Sequence, residues 1–419
     1  MPSIEDRDRR LLAWLGAGLL AGGMPTNEVE EDVQEVARAL GHPHAQVGAL
    51  PTAVTITLSA GRPSTSERVE GGLRLDQLAE VAALQARLRV GSIGPEQALA
   101  RLATLRADPH RYALPGLFAG GVLSGVGIGL ILTPAWPSVL FAAFLSPVTV
   151  LLLRLAGASS TIRLLMPLFA AFATSVAAFG AARLGLIESP LWTLVAPIAV
   201  ILPGATIVTG LIELGAGAMV AGTARLAHGT VQMLLFALGV GAAAALLRVP
   251  LDQLDPTRPV DLGWWAPLLG IVVVTVAISL LESLPLRLLP WVLVSVLATY
   301  LAQTLGTTGL DSRWAGAFLG AFVASLAATL VEFLRPALPR VVVFQPSFWL
   351  LVPGSLGLVS VAQADVAPVA AAGAVGEVTL VVIALSLGIA VGASLARPLR
   401  HVARRLGLAY LLGPLRRGG

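Results

Sequence analysis

Ten stretches, each close to 20 apolar residues long, fill most of this chain and limit what it can fold into. A helix needs roughly 20 apolar residues to cross a bilayer, and segments of that kind have no stable home in water. They fall at about 114–132, 138–153, 164–182, 191–212, 226–247, 264–281, 288–305, 314–333, 346–361 and 376–396. The hydrophobic share of 56% and charged share of 12% agree, since soluble domains carry about 25% charge. The sequence therefore predicts a polytopic, all-α membrane body.

Before residue 114 the composition changes. Residues 1–113 hold 12 Arg and 14 acidic residues, against 16 and 10 in the remaining 306 positions. That balance predicts a small soluble α+β domain ahead of the membrane body. Leu11, Leu12, Leu15 and Leu19 have helical spacing, and Thr26 is expected to cap a second helix from Asn27 to Leu40. The β-branched run 53–58 predicts a strand with 45–50 as partner, and two further helices fit 76–89 and 95–106. Arg7, Arg9 and Arg10 before a short apolar run imitate a signal peptide, but Glu5, Asp6 and Asp8 dilute the basic region and favour an ordinary amphipathic helix.

Arginine placement sets the orientation. With the N-terminal domain in the cytoplasm, twelve body Arg fall on inside loops and the tail, and Arg183, Arg248, Arg258 and Arg313 fall outside. Both termini are then cytoplasmic, and the Arg-rich segment 398–419 anchors at the lipid surface.

The body also repeats itself at an offset of 150. Arg163 meets Arg313, Ser175 meets Ser325, and Pro203-Gly204 meets Pro353-Gly354. Five spans per unit is an odd number, so the second unit enters from the opposite face. The expected architecture is two inverted five-helix repeats, 114–255 and 256–397, an arrangement many secondary transporters use.

Proline lacks an N–H and glycine tolerates non-helical dihedrals, so Pro203-Gly204 predicts a helix broken in mid-span. The half-helix after the break points its positive end into the gap, where a substrate carboxylate is favoured. Thr206 and Thr209 offer hydroxyl contacts there, and Pro353, Gly354, Ser355 and Ser360 repeat the device in span nine. The alternative is a plain kink with the hydroxyls bonded back to their own helix. Glu213 and Glu377 are the candidate proton-coupling acids, because intramembrane carboxylates need a cavity or a partner. Interfacial solvation at the span ends is the competing explanation. Arg225 is a candidate partner for Glu213 or for a substrate carboxylate, with a plain topology signal as the equal alternative. Glu282 and Glu332 are expected to form surface pairs with Arg287 and Arg335.

Several chemistries are excluded. With no Lys there is no Walker A motif, with no Cys there is no thiolate site, and neither H-E-x-x-H nor G-x-S-x-G occurs. The His are scattered, so no metal or other cofactor is expected, and the slightly acidic N-terminal domain argues against nucleic acid. An enzyme is not the expected class. A passive channel and a membrane sensor remain as alternatives to a transporter.

The whole chain resembles the threonine/serine exporter family. The likeness lies in Leu-Leu-Ala-Gly-Gly-Met-Pro-Thr-Asn-Glu-Val-Glu (19–30), Pro-Thr-Ala-Val (51–54), Leu-Pro-Gly-Ala-Thr-Ile-Val-Thr-Gly-Leu-Ile-Glu-Leu (202–214) and Ala-Gly-Thr-Ala-Arg-Leu (221–226). The family often has His or Ser where Asn27 stands. The resemblance implies proton-driven export of threonine and serine across a bacterial inner membrane. Split two-subunit relatives imply succinate-like dicarboxylates as the alternative substrate. Partners on this reading are the small-molecule substrate, protons and the lipid bilayer, with a homo-oligomer left open.

Overall fold

A computed structural model describes residues 3–156, 160–250, 262–334, 340–351 and 368–405. It opens with a head of α-helices and a small sheet. Helix α1 (Ile4–Ala21) starts at a capping box in which the Ser3 hydroxyl accepts the Asp6 N–H at 3.1 Å. Leu11, Leu12, Leu15 and Leu19 are fully buried, so α1 is the central helix of the head. Helix α2 (Thr26–Ala39) follows, then an antiparallel meander of β1 (Gln46–Leu50), β2 (Ala53–Thr57) and β3 (Ser64–Arg68). Val54 and Ile56 alternate inward from β2 and are also fully buried. Helices α3 (Leu75–Arg89) and α4 (Pro95–Leu105) complete the head.

Two local expectations change. Strand β3 was not foreseen, because its residues Ser-Thr-Ser-Glu-Arg lack an inward apolar side and form an exposed edge. Thr26 is the first residue of α2 rather than its cap, and its hydroxyl makes no capping bond. The Thr26 N–H at that helix end is served from elsewhere in the chain.

The apolar body consists of α5 (Ala113–Leu132), α6 (Trp136–Ala156), α7 (Ser160–Arg183), short helices α8 (Pro190–Thr193) and α9 (Val195–Ile198), α10 (Gly204–Gly215), α11 (Met219–Leu247), α12 (Trp265–Leu281), α13 (Leu289–Gly309), α14 (Arg313–Leu334), α15 (Arg340–Leu351) and α16 (Pro368–Arg405). Among the described residues, six helices are long and apolar enough to cross a membrane, and the bent segment from Pro190 to Gly215 would be a seventh. Three more, 136–152, 265–281 and 342–351, are apolar but shorter. Outward-facing Phe144, Leu305 and Leu246 are 79%, 69% and 66% exposed, an apolar exterior that water would not tolerate over so large an area.

Small residues set the tightest contacts of the body. Helices α5 and α12 run antiparallel, and a Cβ at Gly127 would lie 2.9 Å from the Gly270 carbonyl oxygen, while one at Gly270 would lie 2.7 Å from that of Gly127. Hydroxyl pairs tie other helices: Ser138 to Thr193 and Ser295 to Ser347, each at 2.9 Å.

The head is packed onto this body. Its apolar core runs without interruption into Val274, Ile278, Val331 and Val342. Glu282 accepts the Leu75 N–H at 3.1 Å, while the side chain of its expected partner, Arg287, lies outside the described residues; Tyr112 donates to the Leu284 carbonyl at 2.5 Å. The expected partner of Glu332, Arg335, lies outside the described residues; Glu332 accepts the Arg340 backbone N–H at 3.3 Å.

Candidate functional site

The segment with Pro203 and Gly204 folds as two pieces. A 3₁₀ turn over Ala199–Ile201 ends the first, Leu202 is extended, and α10 begins at Gly204 after a bend of 62°. Proline at the head of α10 loses no intrahelical bond, so the break falls where the sequence makes it least costly. Pro203 and Gly204 are themselves buried at the bend.

One face of α10 borders a cavity of about 190 Å³. Thr206 and Thr209 line it, as do Ser325 and Thr329 of α14 and Gln345 of α15. Its apolar side includes Phe344 and Phe348, stacked with ring centres 5.5 Å apart. The Gly22–Pro25 turn of the head forms another wall. Helix α10 can lie this close to α11 because glycines face each other: a Cβ at Gly222 would sit 2.6 Å from the Gly210 carbonyl oxygen.

Charges stand around this cavity in pairs. Arg225 lines it and binds Glu213 at 3.0 Å, while its guanidinium also donates to the Met24 carbonyl at 3.3 Å. Glu213 is fully buried and accepts the Thr26 N–H at 2.8 Å, so a body carboxylate caps the first turn of α2. Arg340 lines a second corner and pairs with Glu28 of α2. Asp32, one turn further along α2, is pushed up to about 6 by burial, against the opposing pull of Arg340.

The structure thus brings together Thr206, Thr209, Arg225 and, behind Arg225, Glu213. It separates Glu377, which is part-exposed, pairs with Arg313 at 3.3 Å and does not line the cavity. Pro353, Gly354, Ser355 and Ser360 lie outside the described residues. Glu28, Arg340, Gln345, Ser325 and Thr329 were not singled out as site residues. Only Ser325 carried a usable signal, its match to Ser175 at the repeat offset. His42, in a weak metal-like His-Pro-His run, sits 3.0 Å from Asp8. Among the described residues no three His, Asp or Glu side chains cluster to hold a metal.

Comparison with known proteins gives the site a context. Residues 10–247 match the family model described as "Putative threonine/serine exporter". The chain is also 27% identical to a "Probable threonine/serine exporter" of Mycobacterium tuberculosis (strain ATCC 25618 / H37Rv), over 94% of this chain and 78% of that protein. No solved structure matches the chain.

Proposed function

The chain belongs to the threonine/serine exporter family, and from that premise we propose that it is a proton-coupled secondary transporter, exporting threonine and serine across a bacterial inner membrane with both termini in the cytoplasm. The observation that carries this reading is the cavity at the broken span. It has room for a small solute, hydroxyls from two helices, and the positive end of α10 on its wall. Substrate enters past the head, its carboxylate held by cationic and helix-end groups and its side-chain hydroxyl by Thr206 or Thr209.

Glu213 is the coupling acid on this reading. As a carboxylate it holds both Arg225 and the Thr26 N–H. Protonation removes the charge that holds Arg225, weakens the bond from the Thr26 N–H, and loosens the head turn over the cavity. One charge crossing 100 mV supplies about 2.3 kcal/mol, enough for roughly fifty-fold accumulation. Glu377, paired with Arg313 away from the cavity, has the weaker claim.

Alternating access follows if the body is two inverted five-helix units, 114–255 and 256–397, behind a soluble domain of residues 1–113. Matched contacts support that division. Gly239 of α11 lies against Leu168, Ala171 and Phe172 of α7, and Gly388 of α16 lies against Phe318, Ala321 and Phe322 of α14, the partners being 150 positions on. The two hydroxyl pairs each tie the second apolar segment of a unit to its fourth. The antiparallel α5–α12 contact is what an in-plane twofold axis between first helices would produce.

The test is uptake of labelled threonine, serine and succinate into inside-out vesicles, with and without an imposed proton gradient. Gradient-dependent accumulation of threonine and serine is expected. Equilibration without accumulation would make the protein a channel, and accumulation of succinate alone would overturn the substrate.

A further inference from the structure

Both cations on the described wall of the cavity are already engaged, Arg225 by Glu213 and Arg340 by Glu28. A dianionic solute entering this space meets no unpaired positive side chain there. Among the described residues at the Arg340 corner, Glu28 pairs its guanidinium, Glu332 accepts its backbone N–H, and Asp32 is close enough to feel its charge. Glu28 comes from the head and Arg340 from the body, 312 positions apart, yet both border the cavity.

A solute carrying one positive and one negative group can open such a pair without leaving either charge alone. Its ammonium replaces Arg340 as the partner of Glu28, and its carboxylate replaces Glu28 as the partner of Arg340. One ion pair becomes two, which matters in a partly dehydrated site where an unpaired charge is costly. A dicarboxylate can satisfy Arg340 only by setting its second carboxylate against Glu28. Selectivity then comes from a repulsive element as much as from an attractive one.

Resting on the exporter reading, we infer that Glu28 is a specificity-determining residue of the transport site, taking the substrate ammonium while Arg340 takes the carboxylate. The head is therefore part of the binding site and not only a cover. Phe344 and Phe348 leave an apolar wall beside this corner for the carbon skeleton.

The experiment is competition against labelled threonine transport by the full chain in proteoliposomes. Competitors are serine, 3-hydroxybutyrate (a hydroxy acid without the ammonium) and succinate. In the unmodified protein serine should compete at least tenfold better than either of the others. In Glu28→Gln that preference should collapse to within about twofold, with threonine affinity down at least tenfold, while Glu28→Asp should keep the preference. Should Glu28→Gln insert but transport nothing, the unmodified protein and Glu28→Asp still decide: equal competition by 3-hydroxybutyrate in either overturns the inference. Unchanged preference in an active Glu28→Gln overturns it as well. Failure of the unmodified protein to move threonine at all would instead bring down the exporter reading, and this inference with it.

Discussion

Glu213 and Thr26 meet at 2.8 Å, a body carboxylate accepting the first N–H of a head helix 187 positions earlier in the chain. Arg225 holds the same carboxylate and also the Met24 carbonyl, so one acid and one base grip both sides of the head turn. Glutamine at position 213 keeps an acceptor for Thr26 and loses the charge. Glu213→Gln is expected to insert and fold, to transport without response to an imposed proton gradient, and to lose accumulation. Flux in vesicles with and without the gradient checks this. Normal proton-coupled accumulation in the variant would remove Glu213 from the mechanism.

Thr209 lines the cavity from α10, and Val has nearly its shape without the hydroxyl. Loss of one hydrogen bond is worth about 0.5–1.5 kcal/mol. Thr209→Val should raise the KM for threonine roughly threefold to tenfold, with a smaller effect on alanine, which has no hydroxyl to lose. Equal effects on both amino acids would place Thr209 in packing.

Gly210 and Gly222 let α10 and α11 touch backbone to backbone. A methyl group at Gly222 has no room without separating the helices, a cost of about 1–3 kcal/mol. Gly222→Ala should lower the thermal midpoint in detergent and weaken transport, because the Glu213–Arg225 pair spans the same two helices. A midpoint unchanged within a degree would show that the contact can relax.

Burial of Glu282 against the head pushes its carboxyl from the ordinary 4.5 up to about 7, the Leu75 N–H pulling the other way. The docked head therefore holds this proton more tightly than a released one would. Docking stability from this group is fully present below about 4.5 and is lost as pH rises through about 7. Asp32, raised to about 6, acts in the same sense as pH rises toward that value. Because the chain has no native cysteine, spin labels at introduced cysteines replacing Val90 and Met219 report the head–body distance cleanly. Those distances should lengthen or broaden between pH 5 and 8 in the parent (about the window set by burial), with a smaller change in Glu282→Gln. The same response in both would exclude Glu282 as a source.

Local features of this protein were legible in its sequence, and the joins between distant segments were not. Pro203-Gly204 announced the break in the fourth apolar segment because no continuous helix accommodates that pair cheaply. Strands β1 and β2 were readable from β-branched alternation, while polar β3 offered no such pattern. The sequence offered Glu213 as one of several alternatives for Arg225, and the two meet across 12 residues on adjoining helices. That Thr26 completes the same site, that Glu28 reaches Arg340, and that Leu75 captures Glu282 all depend on how the head sits on the body. No spacing rule connects positions hundreds of residues apart.

The head is fastened at more than one point, and the fastenings fall on both of the units proposed above. Met24 and Thr26 are held by α10 and α11, whereas Leu75, Tyr112 and Glu28 are held by the turn after α12 and by the start of α15. If the proposed units move against each other, a single compact head bolted across both behaves as a truss. Any change in the angle between the halves lengthens one span of that truss or shears another, so at least one joint must open before the rest of the frame can tilt.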